Sequence, residues 1–174
     1  MAVEKQNKNG RLKLKQDLAK GSFETLYILY GEEAYLREYY LRQLRKKVVD
    51  ETFADFNLIE LDGKTLTLES LTEAVDSYPA MSERKLVIVT DFNIYAPPAS
   101  FGDQLIDLLS DLPDYVCLVF YFDILEAKPD KRTKMYKLLE KKACTAEFAR
   151  LEEKELIERL ERRARELNCI ISDE

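Results

Sequence analysis

Chemistry could begin at Gly31, which closes the apolar run Thr25 to Tyr30 and opens a helical pattern. Such a strand–glycine–helix junction is where nucleotide-binding α/β proteins cradle phosphate, in the frame G-x-x-x-x-G-K-[ST]. Laid on Gly31 the frame gives GEEAYLRE, with Leu36 for the second glycine, Arg37 for the lysine and Glu38 for the magnesium-holding hydroxyl. Without that glycine the backbone cannot wrap an anion, and Glu32 and Glu33 repel one. Asp91 follows KLVIVT as a metal-holding aspartate would, but Phe92 comes next instead of a catalytic glutamate, so Asp91 reads as a loop or cap residue. The chain has no histidine, which removes Ser-His and Cys-His nucleophile pairs and imidazole metal sites. Cys117, Cys144 and Cys169 lie far apart with no Cys-x-x-Cys pair. Free thiols in a reducing cytoplasm fit that pattern. No catalytic, cofactor or metal residue is expected.

Two charged surfaces remain. Lys128, Lys131, Arg132, Lys134, Lys137, Lys141 and Lys142 crowd one helical stretch, offset by little beyond Glu140. They form either a solvated face or a surface toward DNA or another subunit. Arg37, Arg42, Arg45, Lys46 and Lys47 give the first long helix a basic exposed side. The net charge of −6 argues against a chain that coats nucleic acid over its whole surface.

Alternating strands and helices must position these residues. Strands are expected at 25–30, 56–61, 85–90, 115–122 and 144–148, with helices at 32–49, 68–78, 101–109 and 131–142. Glu32 and Glu33 fall in the first turn of helix 32–49, whose apolar stripe is Leu36, Tyr40, Leu44 and Val48. YVCLVFYF (115–122) is the most apolar strand and belongs at the centre of the sheet. The pattern implies a three-layer parallel α/β sheet over 11–148, after a disordered tail at 1–10. From 149 to 174 the texture becomes a charged amphipathic helix with Leu156, Leu160, Ala164 and Leu167 on its stripe. That helix either starts a helical lid domain or packs back on the sheet. No apolar run is long enough to span a membrane.

The ordered set LKQDLAKGSFETLYILYGEEAYLREYYLRQL (14–44), FNLIELDG (56–63), AMSERKLVIV (80–89), DKRTKMYKLLEKK (130–142) and FARLEEKELIERLERRARELNCII resembles the N-terminal part of the bacterial DNA polymerase III delta subunit family. The resemblance implies a RecA/AAA+-like module with a degenerate P-loop position, strand order 5-1-4-3-2 and no nucleotide hydrolysis. It also implies a clamp-loader subunit, accessory to a DNA-directed DNA polymerase, that binds the sliding clamp (beta) and opens its ring. Further partners are the other clamp-loader subunits and, indirectly, primed DNA. Family members are about twice this length. The family's apolar contact pair falls on Ala80 and Met81. Ala80 departs from the bulkier residue usual there, so Tyr78, Pro79 or Leu71 could share the contact. An ordinary loop whose apolar residues cap the core is the alternative for 78–81. Two other classes of function stay open: an atypical nucleotide-dependent ATPase or transferase, and a DNA-binding module built on the basic helix 131–142, with Lys131, Arg132, Lys134, Lys137 and Lys141 as its surface.

Overall fold

The computed structural model describes residues 2–150 (2–9 by backbone only) and the separate positions 157, 160, 161, 164, 165 and 169. Five parallel strands form one sheet: β1 (Leu26–Tyr30), β2 (Leu58–Asp62), β3 (Lys85–Thr90), β4 (Val116–Tyr121) and β5 (Cys144–Glu147). Their spatial order is β2-β3-β4-β1-β5, the expected order read from the other edge. The most apolar strand, β4, is the middle one.

Alternation within the strands builds two cores. Leu26, Ile28, Val87, Val89, Val116, Leu118 and Phe120 face one side, where Leu71, Ala74, Val75, Leu105, Leu109, Met135 and Leu139 meet them. Those partners lie on α4 (Leu68–Asp76), α5 (Gln104–Ser110) and α6 (Lys134–Lys142). Tyr27, Leu29, Leu86, Ile88, Cys117 and Val119 face the other side, against Leu14 and Leu18 of α1 (Ala2–Lys20) and Leu36, Tyr40, Leu44 and Val48 of α2 (Ala34–Val48). Central strands buried on both faces need apolar residues at every position, which is why they read as unbroken runs. A sixth, one-turn helix, α3 (Ala54–Asn57), leads into β2.

α1 covers the edge strand β5. A Cβ on Gly10 would fall 1.8 Å from the Thr145 carbonyl oxygen, so only glycine permits this approach. The helix begins at Ala2, so the boundary expected at residue 11 falls inside it.

Several boundaries differ from expectation for local reasons. Glu32 and Glu33 precede α2 instead of filling its first turn, because the Glu33 N–H donates to the Phe148 carbonyl at 2.9 Å. Phe56 belongs to α3, ahead of the strand expected to contain it. Helix α4 ends at Asp76, with Ser77 extended and Tyr78 biased away from helix by Pro79. Phe101 sits in a 3₁₀ turn before α5. Thr133 caps α6, its hydroxyl accepting from the Tyr136 N–H at 3.1 Å, so Lys131 and Arg132 lie in the preceding turn. The lid helix expected over 149–174 lies largely outside the described residues.

Candidate functional site

At the carboxyl ends of the strands, where open α/β sheets bind ligands, the backbone that follows β5 packs directly against Gly31. Gly31 has φ +126°, and a Cβ there would lie 2.3 Å from the Phe148 carbonyl oxygen. Phe148 is tied down on both sides, since its N–H donates to the Tyr30 carbonyl at 2.7 Å and its carbonyl receives the Glu33 N–H. Arg37, which stands at the lysine of the phosphate frame, is only 5 % exposed. This corrects its assignment to the exposed basic side of the helix. Its guanidinium donates to the Gly31 carbonyl and, at 3.0 and 3.3 Å, to the Asp123 carbonyl and carboxylate, and it lies over the Tyr121 ring. The cation therefore serves two parts of its own backbone.

Asp91 is similarly engaged. With φ +55°, it turns its Oδ1 to accept the backbone N–H groups of Asp123, Ile124 and Leu125 at 2.8, 2.9 and 3.1 Å. Three converging amides make a small anion nest, and here the anion is the protein's own side chain. The loop role expected for Asp91 is thus the one it has. Among the described residues no group of three or more Cys, Asp or Glu is placed to hold a metal ion.

The opposite end of the sheet carries the apolar loop between α4 and β3. Tyr78 and Met81 are 82 % and 85 % exposed, while Pro79 and Ala80 between them are partly covered. Leu71 does not join them. It is fully buried against the sheet, because its place on the apolar stripe of α4 turns it inward, and it is corrected to a core residue.

This loop is built in at several points. The Asn57 side chain, fully buried, donates through Nδ2 to the Ala80 carbonyl and accepts the Ala80 N–H at Oδ1, each at 2.8 Å. Lys85, also buried, donates through Nζ to the Ser77 carbonyl and, at 2.8 Å, to Ser77 Oγ. Burial lowers the Lys85 ammonium to about 8, opposed by the nearby charge of Asp76. The Tyr78 ring lies 5.1 Å from that of Tyr115, whose hydroxyl donates to the Asp76 carbonyl. Arg84 donates to the Phe23 carbonyl at 2.7 Å. Met81 itself has φ +50°, a conformation costing a non-glycine residue about 1–3 kcal/mol and persisting only where neighbours enforce it.

Sequence reasoning missed Asn57 and Phe56. Phe56 is 69 % exposed and precedes the asparagine that holds Ala80. A phenylalanine at the head of an apparent strand looks like core, and nothing local reveals that a one-turn helix turns it outward.

The basic residues of the α6 region are exposed as expected: Lys131, Arg132, Lys134, Lys137 and Lys141, with Met135 and Leu139 turned to the core. Arg132 pairs with Asp130 at 2.9 Å, and its hydrogen bonds draw the Asp130 carboxyl down to about 2. Lys134, Lys137 and Lys141 stand on the face of α6 away from the sheet. On α2, Arg45 pairs with Glu60 and Arg42 with Glu38.

Fold and strand order together define a five-stranded parallel α/β module whose strand–glycine–helix junction lacks the glycine, lysine and hydroxyl of the phosphate frame. The chain belongs to the DNA polymerase III delta subunit family, which matches residues 27–149. It is 31 % identical over 145 residues to the DNA polymerase III subunit delta of Bacillus subtilis, a match covering 80 % of this chain and 42 % of that protein. The solved structure of the Bacillus subtilis DNA clamp loader delta protein superposes with a TM-score of 0.74 at 27 % identity, over 90 % of this chain and 47 % of that one. A Thermotoga maritima DNA polymerase III gamma subunit-related protein shares the fold at 13 % identity, with a TM-score of 0.50 over 89 % of this chain and 52 % of its own. The chain thus spans less than half the length of the delta proteins it matches.

Proposed function

We propose that this chain is the clamp-engaging module of a clamp-loader delta subunit, binding the replicative sliding clamp and favouring its open ring without hydrolysing nucleotide. The observation that carries this is the loop 78–81. Two large apolar side chains project into solvent from a backbone fixed by buried polar groups. An apolar anchor on a rigid mount is the form that interface hot spots take, and methionine adapts to the pocket it enters. A core-capping loop would turn these side chains inward. Opening needs no chemistry from this chain, because a partner that binds the open ring better than the closed one shifts that equilibrium by its difference in affinity. The other clamp-loader subunits are the remaining partners, and primed DNA is reached through the assembly. The lysine face of α6 is assigned to a neighbouring subunit or a weak DNA contact.

The test is binding to the purified cognate sliding clamp by calorimetry, comparing wild type with Met81→Asp. Losing the burial of one methionine costs about 1.5–3 kcal/mol, and forcing a carboxylate into the same pocket costs more. The variant should therefore bind at least about 30-fold more weakly. Its folding stability should not fall more than about 0.5 kcal/mol below wild type, since the side chain is exposed and aspartate tolerates the positive φ of this position better than methionine. Unchanged affinity would move the contact elsewhere. Absence of binding by the folded wild type would end the clamp assignment for this chain.

A further inference from the structure

We infer that Asn57 is the positioning residue of the clamp contact: its buried carboxamide fixes the orientation in which Met81 is presented. This rests on the clamp-binding function proposed above.

Asn57 lies outside the loop it holds. It ends the one-turn helix α3, 23 residues before Ala80. Its side chain satisfies both the N–H and the C=O of a single residue. Two parallel hydrogen bonds to one residue fix its rotation as well as its position. That residue immediately precedes Met81, whose φ of +50° sets the direction of the exposed side chain. Among neutral side chains of this size, asparagine alone supplies a donor and an acceptor on one planar group. An aliphatic replacement leaves two backbone groups unpaired, and an ionised aspartate offers no donor to the Ala80 carbonyl. With the pair intact the loop is formed before its partner arrives, so association does not bear the cost of ordering it. With the pair broken, the loop must be ordered on binding, which should weaken affinity at least about tenfold.

The experiment uses the whole chain and the purified cognate clamp. Affinity is measured for wild type, Asn57→Ala, Asn57→Asp and Met81→Asp, with amide hydrogen exchange followed at Ala80–Ser82 and at Leu86–Val89 of β3. Asn57→Ala should free the Ala80 amide to exchange, leave β3 protected and lower affinity at least about tenfold. Asn57→Asp gives a second, independent readout. Ionised, it repels the Ala80 carbonyl. Protonated, it is an acid that donates and accepts as the carboxamide does, so its affinity should recover toward that of wild type at the same pH as the pH falls. Asn57→Ala binding like wild type, an affinity loss that merely tracks loss of β3 protection, or an Asn57→Asp variant that stays as weak as Asn57→Ala down to the lowest pH at which the chain is folded would each overturn the inference while leaving the Met81 contact standing. Wild-type affinity in Met81→Asp would remove the contact, and with it the role of Asn57.

Discussion

Arg37→Met tests whether the chain really fills its own phosphate seat. The substitution keeps most of the apolar stem and removes the guanidinium that bonds the Gly31 carbonyl and Asp123. Hydrogen bonds to a charged donor contribute about 1.5–3 kcal/mol each. Two considerations reduce the sum. Methionine no longer bears the cost of burying a cation, and Asp123, about half exposed, can rehydrate its freed oxygens. A net loss of about 2–3 kcal/mol is expected, which for a chain of this length lowers Tm by roughly 4–12 °C. Thermal and urea melts give the number, and repeating them with 1 mM Mg-ATP gives the mechanism. A nucleotide present at a hundredfold its Kd would stabilise by about 2.7 kcal/mol. Neither wild type nor variant should gain this, because the Phe148 backbone still lies over Gly31 in both. A rise in Tm with Mg-ATP would show that the seat accepts nucleotide. A variant melting within about 1 °C of wild type would show that the arginine contributes nothing there.

Lys85 should leave a signature in the pH dependence of stability. Its ammonium is lowered to about 8 in the fold, so between about pH 8 and 10.5 the unfolded chain binds the extra proton and stability rises with pH. A group wholly shielded from water would contribute about 3 kcal/mol over that window, and screening through exposed Ser77 reduces this to ~1–2 kcal/mol. Cys117 and Cys144, pushed up to about 12 by burial, act in the opposite sense above about pH 9. The informative quantity is therefore wild type minus Lys85→Met in urea melts from pH 7 to 10. A flat difference would refute the assignment. For the α6 face, Lys134→Glu, Lys137→Glu and Lys141→Glu together should weaken binding of short duplex DNA and flatten its logarithmic salt dependence by up to about 3, from about 0.9 per lost phosphate contact. An unchanged slope would leave these lysines as a solvated face.

The sheet was readable because its signals are local. Strands buried on both faces must be apolar throughout, and glycine or proline near their ends marks where the chain turns, so strand count and the central place of β4 followed from patterning. Strand order came from family resemblance, since nothing in a single strand names its neighbour. The apolar loop 78–81 was legible as a segment between helix and strand, yet its mount was invisible: the Asn57–Ala80 and Lys85–Ser77 bonds join residues 23 and 8 positions apart. Leu71 could have been assigned to the core from its spacing to Leu68 and Val75. Arg37 could not have been found buried, because an arginine on a helix is ordinarily solvated and only the backward turn to Gly31 and Asp123 makes this one a structural cation.

The two ends of the sheet explain each other. In a parallel sheet the loops before β1, β3 and β4 share one edge and the loops after β1, β3 and β4 share the other. The Gly31 seat with Arg37, Asp91 and Phe148 therefore lies across the sheet from Ser77–Met81, at a distance set by strands of five or six residues, about 17–20 Å. An active nucleotide switch keeps its carboxyl edge movable, so that a γ-phosphate can order loops there. Here that edge is cross-linked within the chain: the Asp91 side chain holds the loop after β4, the Arg37 side chain ties it to β1, and the Phe148 backbone packs against Gly31. With these bonds made, a nucleotide is expected to order nothing further at this edge, which the Mg-ATP melts test. For the proposed clamp contact the loss of that switch would be a gain, since a loop already held in one arrangement needs no ordering on binding.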